Sequence, residues 1–278
     1  MFDSMKNRAR KLPFYPHARS VYHRLRRAPR HRLQDLTTQE GYSLKRLGTE
    51  YGGWTFVDDG NLFGSTIISA GLGEDASFDV EFARTYNARV VIVDPTPRAI
   101  EHFDNIIARL GNQQTRDYVG GGKQPAEAYD LRGLSLANFT LVPKALWNAT
   151  TTLKFFEPRD PKDVSHSIIN YQHGYTQDTS HLEVEATTIE DLLQETGLES
   201  DDFALVKLDI EGAEIEVICD FLDKKIRPRQ ILIEFDELTE PSPEAFQRVD
   251  YLDAKLNSHG YKCIHTDGHA DFLYVRSD

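Results

Sequence analysis

The sequence predicts an α/β fold built on a doubly wound sheet, and three observations carry that prediction. Thr66-Ile-Ile-Ser-Ala70 is an apolar run that ends in Gly71-Leu-Gly73, after which acidic and small residues open a helix. Arg89-Val-Val-Ile-Val93 is a second such run and ends in a lone acid, Asp94, 21 residues beyond Gly73. Asp202-Phe-Ala-Leu-Val-Lys-Leu-Asp209 and Gln230-Ile-Leu-Ile-Glu-Phe-Asp236 repeat the pattern, with Asp209, Glu234 and Asp236 at or near their carboxyl ends. Strand, glycine turn, helix, strand and acid in that order form the mononucleotide-binding half of a doubly wound sheet. The glycines allow a ligand to approach the backbone at the carboxyl edge, and Asp94 stands where ribose hydroxyls are accepted.

The remaining elements follow in order. Residues 1–32 hold ten Lys/Arg against the single acid Asp3, whereas the whole chain carries −12, so a basic arm precedes an acidic body. Pro13, Pro16 and Pro29 limit any helix in the arm to about residues 20–27. The arm reads either as a contact for an anionic surface or as an extension that packs on the acidic body or pairs subunits of a homo-oligomer. We divide the chain into this arm with its approach segment, residues 1–50, and a principal domain, residues 51–278. Trp54-Thr-Phe-Val57, closed by the turn Asp58-Asp-Gly60, reads as an edge strand or a lid.

Helices are expected over residues 77–86 and from Pro97 to about Leu110, the latter on the spacing of Ile100, Phe103, Ile106, Ile107 and Leu110. Gly120-Gly-Gly-Lys123 is no phosphate loop, because Gln124 follows the lysine and no strand precedes it; residues 111–137 read as a loop. Asn138-Phe-Thr-Leu-Val142 is the third strand, and Thr151-Thr-Leu-Lys-Phe-Phe156 a hairpin partner on the sheet's flank. Residues 157–180 are polar, contain His166 and His173, and are too long for an ordinary connector, which suggests a functional loop. Thr187 or Thr188 caps a helix, another opens from Ile210, and residues 243–258 form an amphipathic one. Tyr261–His265 and Asp271–Val275 around Thr266-Asp-Gly268 form a terminal hairpin.

Composition excludes several classes. No apolar run approaches the roughly 20 residues of a membrane span. The arm lacks the apolar segment of a secretory signal, and two cysteines, Cys219 and Cys263, make neither a disulfide framework nor a thiolate metal cluster. Reduced, buried thiols in a cytoplasmic protein are the expectation.

Gly71-Leu-Gly73, Asp94-Pro-Thr-Pro97 and Leu208-Asp-Ile-Glu-Gly-Ala-Glu214 together resemble the FkbM family of S-adenosylmethionine (AdoMet)-dependent methyltransferases over roughly residues 52–275. The resemblance implies a class I methyltransferase (Rossmann-like) fold: a seven-stranded sheet in the order 3-2-1-4-5-7-6 with an antiparallel last strand. It implies that Gly71 and Gly73 lie beneath the methionine and ribose, that Asp94 holds the ribose, and that Lys144 and Ala145 contact adenine. Asp209 then stands near the methionine amino group and the acceptor, with Glu211 and Glu214 in the helix that follows. Where many family members begin the first motif with an acid and carry a further glycine, this chain has Ser69 and Asp75; Glu74, Asp75 and Ser77 become candidate cofactor contacts.

Methyl transfer to a hydroxyl needs a general base within about 3 Å of the proton. Asp209, Glu211, Glu234 and His166 are the candidates. Asp209, Glu234 and His265 could alternatively gather a divalent cation, although no metal-ligand spacing marks them. The reading is O-methylation of a sugar, glycan or small natural product. A nicotinamide-dependent oxidoreductase and a non-catalytic binding protein of the same fold stand as alternatives.

Overall fold

A computed structural model describes residues 29–156, 180–200, 203–239 and 241–277. The expected helix at residues 20–27, with His166 and His173, lies outside them. Strands are β1 (Leu44–Leu47), β2 (Trp54–Val57), β3 (Thr66–Ala70), β4 (Arg89–Val93), β5 (Phe139–Val142), β6 (Ala145–Leu146), β7 (Thr151–Phe156), β8 (His181–Thr187), β9 (Phe203–Leu208), β10 (Gln230–Glu234), β11 (Tyr261–Thr266) and β12 (Asp271–Arg276). The α-helices are α1 (Ser77–Tyr86), α2 (Pro97–Ile107), α3 (Ile189–Thr196), α4 (Glu214–Asp223) and α5 (Pro243–Ser258).

The principal sheet runs β11-β12-β10-β9-β3-β4-β5. β12 is antiparallel to both β10 and β11, and the other pairings are parallel. Numbered along the principal sheet, this is the 3-2-1-4-5-7-6 order with a reversed last strand. The parallel strands are apolar almost throughout because both faces are covered. Ile68, Ala70, Val91 and Val93 join the core cluster under α3, α4 and α5, while Ile67, Val90 and Ile92 join the one under α1 and α2.

Caps determine where the helices begin. Thr96 accepts the Ala99 N–H ahead of Pro97, and Ser242 accepts the Ala245 N–H ahead of Pro243. α1 has no side-chain cap at Ala76; instead the Asp75 carboxylate accepts the Ser77 N–H at 2.9 Å and the Tyr129 hydroxyl accepts the Ala76 N–H at 3.0 Å.

Three expectations change in detail, and one further strand appears. β2 is not an edge of the main sheet: it pairs with β1, within the approach segment, to form a separate two-stranded ribbon. Phe56 buries that ribbon edge-on against Phe78, Phe82 and Tyr86 of α1. The run from His181 is a strand, which joins β7 and β6 in a three-stranded flanking sheet. α2 ends at Ile107 rather than Leu110. α4 starts at Glu214 and not at Ile210, because Glu211 (φ 57°) and Gly212 (φ 98°) take left-handed conformations that a helix cannot contain.

At the start of the described chain, Arg30 bonds Asp35 and the Gly268 carbonyl, while His31 and Arg32 bond Asp250 on α5. Arg32 also bonds Asp253. This end of the basic segment therefore packs on acids of the body. Among the described residues, no helix is long and apolar enough to cross a membrane.

Candidate active site

The carboxyl edge of β3, β4, β9 and β10 opens into a cleft of about 810 Å³. Its floor is the turn after β3. Gly71 has φ 85°, and a Cβ there would lie 1.7 Å from the Asp209 carbonyl oxygen, so only glycine lets the β3 and β9 ends touch. Gly73 has φ 56° and open space where a Cβ would point.

Asp94 ties this floor together. Its Oδ2 accepts the N–H groups of Leu72 and Gly73 at 2.9 and 3.0 Å, and its Oδ1 accepts the Thr96 N–H and hydroxyl at 2.8 and 2.7 Å. Asp94 is buried yet reaches the cleft wall, its carboxylate fixed by these four donors.

Glu74 pairs through Oε1 with Lys123 Nζ at 2.5 Å, and its buried Oε2 has no partner. Lys123 belongs to the 111–137 loop, which folds back so that Gln124 N–H bonds the Glu74 carbonyl at 2.8 Å and Tyr51 lies against Gly122. Asp75 reaches the cleft but spends its carboxylate on the Ser77 N–H and the Thr49 hydroxyl, the latter at 2.6 Å.

The opposite wall is acidic: Asp209, Glu211, Glu234, Asp236 and Asp271 all line the cleft. The Asp209 charge, then burial, then a hydrogen bond to Asp209 hold the Glu234 carboxyl far above the ordinary range, so Glu234 keeps its proton at neutral pH. Burial first, then neighbouring acids including Asp209, raises Asp236, and likewise raises Asp271 to about 7. Glu214 is wholly buried and accepts the Ile210 and Gly212 N–H groups at 2.7 and 3.0 Å. It holds the left-handed turn that directs Glu211 toward the cleft. Glu211 is therefore in a left-handed turn ahead of α4 and not within the helix.

The cleft thus gathers Gly71, Gly73, Glu74, Asp75, Asp94, Ala145, Asp209, Glu211 and Glu234. Ser69 and Ser77 are fully buried beneath it, and Ser77 accepts the Thr49 N–H at 2.8 Å. Lys144 turns away to Glu195 at 2.6 Å. His166 lies outside the described residues. The alternative of a cation held by Asp209, Glu234 and His265 is not met here: His265 is not on the cleft and bonds Thr38 at 2.9 Å. Among the described residues no group of three His, Cys, Asp or Glu is placed to hold a metal ion.

Sequence reading passed over Lys207. It is a buried lysine at the cleft, with Nζ bonded to the Gly71 carbonyl and 3.4 Å from Asp209 Oδ2. A lysine inside an otherwise apolar, doubly covered strand was the available signal.

The acidic wall has a consequence for stability. Carboxyls with folded pKa values above the unfolded ones contribute stability that is complete at low pH and lost as pH rises through the folded values. Glu234 acts across the neutral range, and Asp236 and Asp271 add from about 7 downward. His102 and His265, lowered by burial, oppose the trend once pH falls below their ordinary 6.5. The thermal midpoint is therefore expected to rise from about pH 8.5 to about pH 6.5. Differential scanning fluorimetry checks it; a midpoint that falls over that range contradicts the proton retained on Glu234.

The strand order, the reversed β12 and a cleft over the β3 and β4 ends define a methyltransferase of class I architecture. The model of the methyltransferase FkbM domain matches residues 64–263, and the chain belongs to that family. It is an AdoMet-dependent methyltransferase. No curated protein matches the chain. Among solved structures it is similar to M. jannaschii TYW2 in complex with AdoMet, at 11% identity over 87% of this chain and 90% of that one. The TM-score is 0.30, a likeness too loose to assign residues.

Proposed function

We propose that this methyltransferase O-methylates a neutral hydroxyl acceptor, a sugar, glycan or small natural product. The observation that carries the reading is the hydrogen-bonded pair Asp209–Glu234 beside the glycine turn. Such a pair keeps one carboxylate available to accept a hydroxyl proton while the neighbouring carboxyl stays neutral.

The residues present fit AdoMet. Gly71 and Gly73 let the backbone form the floor without side chains, Asp94 stands on the wall at the ribose end, Ala145 lies on the wall toward the adenine end, and Glu74 has an unpartnered oxygen. When bound, AdoMet supplies a methyl group on a positively charged sulfur, open to in-line attack. The chain's own work is to align the acceptor, take its proton and keep water out. Asp209 and Glu211 border the acceptor side, and the surrounding acids complement a cationic cofactor. The same acids disfavour phosphorylated or carboxylated acceptors, because like charges in a partly desolvated cleft repel strongly.

The test is a panel of neutral glycosides and alcohols, sugar phosphates, uronates and amines, with S-adenosylhomocysteine (AdoHcy) release as the readout. Turnover confined to neutral hydroxyls is expected. Turnover of phosphates or uronates overturns the charge argument, methylation only of amines overturns O-transfer, and AdoHcy binding with no turnover across the panel favours a non-catalytic role. Family membership leaves the nicotinamide-dependent alternative without support.

A further inference from the structure

Lys207 stands out because it is the cation closest to the cleft floor and is 4% exposed. It projects from β9 to the face that carries Leu205, and the Trp54 ring covers it at 5.5 Å from Nζ to the centroid. Its three N–H donors find one carbonyl, that of Gly71, and one carboxylate, that of Asp209. Burial alone would lower its pKa, but the charges of Asp209 and Asp79 and the hydrogen bond to Asp209 overcome burial and raise it. Asp79 is itself buried, on α1. A fully buried ammonium is costly unless its partners are held in place, and the constraint acts equally on those partners.

These partners are the two acceptors at the floor of the cleft, brought together from different strands. The Gly71 carbonyl belongs to the turn after β3, and Asp209 closes β9. We propose that Lys207 is the positioning residue for the amino-acid end of AdoMet. It holds the Gly71 carbonyl and the Asp209 carboxylate side by side, as a preformed acceptor pair for the methionine ammonium. This rests on the AdoMet site read above. Asp94, which serves the ribose, is anchored by Leu72, Gly73 and Thr96 and does not touch Lys207. The amino-acid and nucleoside ends of the cleft are thus held by separate contacts.

That separation makes the proposal testable by binding alone. AdoHcy carries the amino-acid arm; 5′-deoxy-5′-methylthioadenosine has the same nucleoside and thioether without it. Calorimetry on Lys207→Met is expected to show AdoHcy affinity reduced by about 30-fold or more, with methylthioadenosine affinity within about twofold of wild type. Because Lys207→Met leaves Asp79 buried without its counter-charge, the double variant Asp79→Asn/Lys207→Met removes both charges together and is expected to show the same split. An equal loss for both ligands, or no loss for either, in the double variant overturns the proposal, since a purely structural lysine would not distinguish them. Failure of the wild-type protein to bind AdoHcy at all would instead overturn the AdoMet site on which the proposal stands.

Discussion

Asp209→Asn is expected to lower kcat by about 10²–10³-fold at saturating AdoMet, whereas Glu234→Gln is expected to lower it by less than about tenfold. The asymmetry follows from the proton on Glu234. Glu234 is raised first by the Asp209 charge, so at neutral pH it is the neutral member of the pair and donates to Asp209. Glutamine at 234 still donates to Asp209 and leaves the single negative charge where it was. Asparagine at 209 removes that charge, and Glu234, relieved of its neighbour, becomes the carboxylate at a displaced position. It can then act as a base only from outside the aligned geometry, which accounts for a loss within the usual range for a general base. Steady-state kinetics with an accepted neutral alcohol, alongside AdoHcy calorimetry to separate chemistry from cofactor binding, measures both variants. Equal losses, or a larger loss for Glu234→Gln, would show that the proton is not held in this way. The same Glu234→Gln protein should also lose part of the pH dependence of its thermal midpoint, because one of the carboxyls raised above its unfolded value has gone.

How much of this was legible in the sequence depended on whether a signal was local. The parallel strands were legible because burial on both faces writes an unbroken apolar run, as in Arg89–Val93. Their order came from the resemblance, since periodicity does not encode which strand lies beside which. β1 was missed because Leu44–Leu47 has Lys45 and Arg46 at its centre, and only its pairing with β2 makes it a strand. In Asp209-Ile-Glu-Gly-Ala-Glu214, apolar spacing suggested a helix from Ile210, yet the three acids do different work. Asp209 and Glu211 face the cleft, and Glu214 accepts two backbone N–H groups that would otherwise be unpaired in a buried turn. Nothing in the spacing separates those roles. Likewise, Gly122 and Lys123 read as loop residues, and loop residues they are. Their position on the cleft arises from contacts with Tyr51 and Glu74, far away in sequence. Glu74 and Asp75 line the cleft, whereas Ser69 and Ser77, singled out from the same motif, are buried beneath it, and no spacing separates the two kinds.

Gly71→Ala is expected to abolish useful AdoHcy affinity, by about 10²-fold or more, and to destabilise the protein by about 2–4 kcal/mol. A methyl group at 71 would sit 1.7 Å from the Asp209 carbonyl oxygen and 2.8 Å from its carbonyl carbon. Both obstacles are backbone, so no side-chain rotation relieves the clash, and the φ of 85° adds strain that an L-residue seldom tolerates. Relief requires the β3 turn and the β9 end to separate by more than an ångström, on the order of a misplacement that alone costs about 10²-fold in a positioned site. The movement would also pull the Gly71 carbonyl from Lys207 and strain the Gly71 N–H bond to Val93, 3.0 Å long. Gly73→Ala is the control. It lies two residues away with φ 56°, but a Cβ there meets nothing within 4 Å, so only the left-handed penalty of about 1 kcal/mol applies. Urea denaturation and AdoHcy calorimetry on the two variants separate close contact from backbone strain. If Gly71→Ala binds AdoHcy as tightly as Gly73→Ala, the touching strand ends are not what shapes the floor of the site.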